Sequence, residues 1–210
     1  MDLSVPLPRE VAEPIVTPHL SRLAMAMARA WTDFTDTRNA PTGHLARVRA
    51  ASQGMVVSDL LAEPVRRQFA GVEGVEVVER FDRPWVHLDG GLVQIRFRAL
   101  TPALKICPSQ SQRAIRLAFH LPDPTLDIEV PDAGTVLTAG YVLDVSRTRV
   151  ARMALVCHVG FQQVHYFFTL PGTATSASPT QLPLAPLSDP IIRSARAAAA
   201  KRLADRGDSA

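Results

Sequence analysis

The residues whose types and spacing come closest to a chemical site lie around Asp89-Gly90-Gly91 and the run after it, Val93-Gln94-Ile95-Arg96-Phe97-Arg98. A metal-dependent nuclease core places an acid near one strand and a Glu-x-Lys pair on the next. Here Asp82 or Asp89 precedes Gln94-x-Arg96. Gln and Arg match that pair in size, but an uncharged amide does not hold magnesium and a guanidinium does not give up a proton. Binding is therefore the better use of these side chains. In a strand, Gln94, Arg96 and Arg98 share one face. With Arg113 and Arg116 on a following helix, they would make a small basic surface for phosphate or for an acidic protein. The competing reading is arginines that are merely solvated, or paired with Glu76 and Asp82.

Other chemistry finds less support. A phosphate-binding loop with its Lys-Ser/Thr ending is absent, and so is the Gly-x-Ser-x-Gly turn of a nucleophile elbow. The histidines at 19, 44, 87, 120, 158 and 165 include no i, i+4 pair of the zinc-protease kind. His158 and His165 can approach across a hairpin with Cys157 adjacent. Successive strand residues point to opposite faces, however, so Cys157 and His158 would not ligate one ion together. Asp123, Asp127, Glu129 and Asp132 lack the spacing and central glycine of a calcium loop. No catalytic residue, metal or cofactor is expected.

The elements that must position these residues follow from periodicity. Residues 1–16, with Pro6, Pro8 and Pro14, read as an irregular lead. Thr17-Pro18 then opens a helix with Leu20, Leu23, Met27, Trp31 and Phe34 on one face, ending near Asp36. A second helix starts at Thr42, is weakened at Gly54 and Pro64, and finishes as Val65 to Phe69 before Gly71. From Val75 the period becomes two. Strands are expected at Val75–Val78, Pro84–Leu88 and Leu92–Ala99, the last two joined by a turn at Asp89-Gly90-Gly91. A helix over Pro108–Phe119 comes next, then an acidic loop to Gly134. Three further strands, Val136–Asp144, Val150–Val159 and Gln163–Leu170, have links short enough to force an antiparallel meander. The fold class is α+β: N-terminal helices on a mainly antiparallel sheet of three strands, a helix and a three-strand meander. The domain spans 17–170. A Pro-rich linker, 171–189, tethers a basic C-terminal helix, 190–206, whose Arg193 and Arg196 offer a second binding surface.

Composition narrows the functional classes. A hydrophobic share of 47% is enough for a core, and a net charge of +3 is too small to argue for a dedicated nucleic-acid domain. Only two cysteines, Cys107 and Cys157, occur in the chain, which suits a reducing cytoplasm. The N-terminus lacks the pattern of a signal peptide, and no apolar run is long enough to span a membrane.

Between Arg47 and Leu170 the chain resembles a family of bacterial proteins of about this length with no assigned activity. The resemblance is carried by Arg49, Ser58 and Val65, by Val93-Gln94-Ile95-Arg96-Phe97-Arg98 and by Thr101-Pro102. Gly140-Tyr141-Val142-Leu143-Asp144 and Val156-Cys157-His158-Val159-Gly160 complete it. Such proteins are encoded beside Xre-type helix-turn-helix regulators and metallopeptidase-like regulators on mobile or defence-related loci. The resemblance implies an accessory role with such a partner and no reaction. The chain departs from the pattern in its long Pro-rich linker and terminal helix, and in Arg98, where lysine is expected.

The expectation is an accessory or regulatory binding protein with a protein partner, a DNA-binding regulator among the candidates. The alternatives are a divergent restriction-endonuclease-like nuclease and a protein that binds nucleic acid directly.

Overall fold

A computed structural model describes residues 6–39, 50–80, 82–106, 134–160 and 162–172. The chain divides into two units, Met1–Thr175 and Ser176–Ala210, and the described residues all lie in the first. The expected helix over Pro108–Phe119, the acidic loop, the linker beyond Gly172 and the C-terminal helix fall outside the described residues.

The α+β class holds. Helices α1 (Arg9–Val16), α2 (Leu20–Asn39), α3 (Ala50–Leu60) and α4 (Ala62–Phe69) precede an open six-stranded sheet ordered β1-β2-β3-β4-β5-β6. The strands are β1 (Val75–Arg80), β2 (Arg83–Leu88), β3 (Val93–Ala99), β4 (Thr135–Leu143), β5 (Val150–His158) and β6 (Val164–Thr169). Each lies within two residues of its expected bounds. No helix among the described residues is long and apolar enough to cross a membrane.

One expectation needs correction. Residues 9–16 are not irregular: they form α1 despite Pro14. A proline in a helix interior forfeits one backbone bond. Here α1 is short, Ala12 and Val16 are fully buried, and Thr17 N–H still reaches Glu13 O. A 3-10 turn, Thr17–His19, separates α1 from α2 where a single helix start was expected. Within the mainly antiparallel sheet that was expected, β3 and β4 are the parallel pair, with Val93 opposite Thr135 and Ala99 opposite Tyr141. Parallel neighbours require a long crossover, and the stretch from Leu100 to Gly134 is long enough to supply it. All other neighbouring pairs are antiparallel.

The four helices cover one face of the sheet. Leu23, Phe34, Val57, Leu61 and Val65 meet Val86, Leu88, Ile95, Leu137 and Leu155, all buried in one core. Each such side chain contributes about 1.5–3 kcal/mol through removal of apolar surface from water. Trp31 of α2 lies 5.8 Å, ring to ring, from Tyr141 of β4. Leu7 straps the N-terminus down: its N–H donates to Thr135 Oγ1 at 2.7 Å, and its carbonyl accepts from the Tyr166 hydroxyl at 3.0 Å.

Candidate functional site

The opposite face of the sheet carries the polar residues, and strand register sets them out as rows. Val78 of β1, Trp85 of β2, Arg96 of β3, Thr138 of β4 and Val156 of β5 are successive cross-strand partners. On one side of that row runs another: Glu76, His87, Gln94 and Val136. On the other side, Arg80 faces Arg83 across the first hairpin, and Arg98 faces Gly140. Continuing the β2–β3 register by two residues brings Arg83 across from Arg98. Three arginines on adjacent strands therefore share one row, and Arg96 stands one step behind them.

The two halves of this face differ. Over β4–β6 the segment Leu100–Ile106 folds back and packs Leu100, Leu104 and Ile106 on Val142, Ala154 and Val156. Gly140 admits this crossing, since a Cβ there would fall inside the Leu100 side chain and 2.9 Å from the Arg98 carbonyl. His158 secures the same segment, donating from Nε2 to the Leu104 carbonyl at 2.8 Å. Burial keeps that ring below the usual histidine pKa and hence neutral. The β1–β3 half is polar and yet buried. Gln94 is 3% exposed and Arg96 5%, where alternation alone suggested a solvated face.

Within this half, hydrogen bonds separate structural groups from available ones. Gln94 uses both ends of its carboxamide. Its oxygen accepts from Arg80 at 3.1 Å, and its amide donates to the Gly91 carbonyl at 3.4 Å. Arg80 also lies over the Trp85 ring at 5.5 Å. His87 is held down to about 4 by burial and then by Arg80, with the Glu76 carboxylate opposing, and its buried Nε2 has no hydrogen-bond partner among the described residues. Arg96 donates from Nε to Thr138 Oγ1 at 3.1 Å. Its two terminal nitrogens make no hydrogen bond or ion pair with any described residue. Desolvation, and secondly the neighbouring Arg98, push it down to about 9, so it stays charged at neutral pH. Arg98 is exposed, and its guanidinium is also lowered, by desolvation and then by Arg83.

The pairing with Glu76 and Asp82 that would have made these arginines ordinary does not form for Arg96 or Arg98. The ion pairs among the described residues are Arg9–Glu13, Arg29–Asp33, Arg66–Glu79 and Arg67–Glu63, all away from this row. Asp82 and Asp89 sit at opposite ends of β2, both exposed and both with left-handed backbone. Gln94, the residue that stands where a nuclease core has its metal-holding acid, is engaged by Arg80 and the Gly91 carbonyl. Among the described residues no three His, Cys, Asp or Glu side chains come together as a metal-holding group. Cys157 and His158 do face opposite sides of the sheet. Cys157 is in the helix-covered core, its thiol pushed up to about 12 by burial, while His158 bonds Leu104.

Of the residues expected to bind, Gln94, Arg96 and Arg98 come together on one face, whereas Arg113, Arg116, Arg193 and Arg196 lie outside the described residues. Sequence reasoning missed Arg80 and Arg83. The available signal was the two-residue link between β1 and β2, which makes the residues flanking it direct partners. Comparison with protein families, with curated proteins and with solved structures returned no match for this chain.

Proposed function

We propose that this chain is an accessory or regulatory binding protein that acts with a protein partner, and that the arginine row is its recognition surface. The observation that carries this reading is the alignment of Arg83 with Arg98 beside Arg80, with no carboxylate of the described residues paired to Arg83 or Arg98. Like charges placed directly across neighbouring strands destabilise a sheet. Such an arrangement is useful when an acidic surface arrives to neutralise it, and guanidinium forks suit carboxylates in bidentate geometry. The side chains gathered here hold charge well and transfer protons poorly, which favours binding over catalysis. The resemblance to proteins encoded beside helix-turn-helix regulators makes a DNA-binding regulator the first candidate partner.

The test is affinity purification of the tagged chain from its own host, with the Arg83→Glu/Arg98→Glu double variant alongside. A partner recovered at stoichiometric amounts by the parent chain and lost, about tenfold or more, by the variant is the expected result. Equal recovery by both removes the row from recognition. The same arginines also favour a second reading, direct contact with nucleic-acid phosphates. That reading requires affinity for DNA or RNA that falls steeply as salt rises. A flat salt dependence excludes it.

A further inference from the structure

We infer that the arginine row with Arg96 behind it forms a binding site for the terminal phosphate of a small phosphate monoester. The inference rests on the reading of this face as a recognition surface and adds the chemistry of a specific ligand.

Arg98 is exposed, Arg83 is half-buried, and Arg96 is only 5% exposed. The three arginines thus range from exposed to buried along one face of the sheet, and a flat acidic protein surface would meet Arg98 before Arg96.

Charge selects the group. A guanidinium at 5% exposure whose one hydrogen bond to the described residues is neutral, to Thr138, is costly unless an anion reaches it. Arg83 and Arg98 stand on neighbouring strands and add two further charges, close enough for Arg83 to act on the Arg98 guanidinium. One carboxylate, at −1, would leave most of that charge uncompensated. A phosphate monoester carries about −1.5 to −2 at neutral pH and presents three terminal oxygens. Those oxygens match the free ends of Arg96, Arg83 and Arg98, and guanidinium–phosphate pairs are commonly bidentate. A nucleic-acid backbone phosphate fits less well, because it carries one charge and a substituent on each side.

The neighbours on the sheet are consistent with this use. Thr138 accepts from Arg96 Nε, and among the described residues both terminal nitrogens of that guanidinium are left for a ligand. Trp85, the cross-strand partner of Arg96, is 3% exposed and sets apolar surface beside it. The low polarity of such a surface strengthens the charged bonds beside it.

The experiment is titration of the full chain with inorganic phosphate in a zwitterionic buffer, followed by thermal melting and calorimetry, with sodium chloride at matched ionic strength as the control. Glucose 6-phosphate and a phosphoserine peptide, tested in parallel, separate a small ligand from a phosphorylated protein. The expected result is saturable stabilisation by phosphate and by glucose 6-phosphate, with a dissociation constant below about 1 mM, and weaker binding of the peptide. Arg96→Met should weaken phosphate binding about tenfold or more and Arg98→Gln about fivefold. Arg67→Gln, on the helix-covered side, should change nothing. Arg98 is exposed, so its variant keeps the test informative if Arg96→Met folds poorly. Stabilisation no greater than that given by chloride overturns the inference, as does unchanged phosphate affinity in the two site variants. Tight binding of the peptide alone overturns the small-ligand assignment. Partner recovery by Arg96→Met reads separately on the accessory role, so that role can stand when the phosphate site fails.

Discussion

Replacing Arg96 with methionine should stabilise the ligand-free chain. Lowering this guanidinium from 12.5 to about 9 corresponds to an upper limit of roughly 5 kcal/mol of unfavourable environment, at about 1.4 kcal/mol per pH unit. The side chain stays charged at neutral pH, so the folded state bears this cost. Against it stands the charged hydrogen bond to Thr138, whose loss costs about 1.5–3 kcal/mol and leaves a hydroxyl at 1% exposure without that donor. Methionine retains most of the apolar stem that arginine lays in the site. The balance is a gain of at most about 2–3.5 kcal/mol, in the range found when buried charged groups are exchanged for well-packed apolar ones. Urea unfolding at pH 7.5 in a phosphate-free buffer measures it, provided the slope against denaturant is unchanged. Arg96→Lys keeps the charge and should show no gain. A loss of more than about 1 kcal/mol in Arg96→Met refutes the reasoning, because it would mean that the folded chain itself supplies Arg96 with a counter-charge.

Two further outcomes follow from the same face. Gly140→Ala should cost about 1–3 kcal/mol, because the new methyl group meets Leu100 and the Arg98 carbonyl, and the carbonyl belongs to the neighbouring strand and cannot swing away; a melting temperature equal to the parent's would show that Leu100 does not cross β4 there. Stability should also fall on acidification. His87 is lowered from 6.5 to about 4, so between those values the unfolded chain binds more protons than the folded one. The His87 contribution is thus complete above about pH 6.5, declines down to about pH 4 and is flat below. At pH 5 the loss is about 2 kcal/mol for a fully sheltered ring, and about 1 kcal/mol once screening near the exposed Glu76 is allowed for. His158, also lowered by burial, adds in the same direction. Urea midpoints at pH 8 and pH 5 in the parent and in His87→Gln check this, and an equal drop in both chains would remove His87 as the cause.

The strands were legible because their signal is local. Val93, Ile95 and Phe97 alternate with Gln94, Arg96 and Arg98, and the pattern alone states which residues face the core. Turn chemistry was legible for the same reason, since Asp89, Gly90 and Gly91 all adopt left-handed backbone where a turn was expected. The parallel pairing of β3 with β4 was not, because nothing local distinguishes a strand that returns beside its predecessor in the same direction from one that reverses. That choice is made by the length and route of the crossover. Helix α1 was hidden for a different reason. Three prolines in its neighbourhood read as irregular chain and masked the helical spacing of Ala12 and Val16, while the burial of those two residues that outweighs the lost bond at Pro14 is a tertiary gain.

The site shows the same division between local and tertiary information, and there it bears on function. Alternation placed Gln94 and Arg96 on a polar face, and polar faces of antiparallel sheets are commonly read as wet. The sequence carries no sign that Gln94 would be spent on Arg80 and Gly91 while Arg96 keeps its terminal nitrogens. That division depends on β1 delivering Arg80 across from Arg83, and therefore on the hairpin at Asp82. Two residues that look equivalent in the run Gln94-x-Arg96 thus do different work. Gln94 ties the first hairpin to the β2–β3 turn, and Arg96 holds a buried charge with one neutral partner among the described residues. A protein gains nothing in stability from such a charge, since an apolar side chain would fill the position at lower cost. Its presence is accounted for if an anion is bound there for part of the chain's working life. In that case the excess repulsion among Arg83, Arg96 and Arg98 in the free chain is the energy that makes the anion bind.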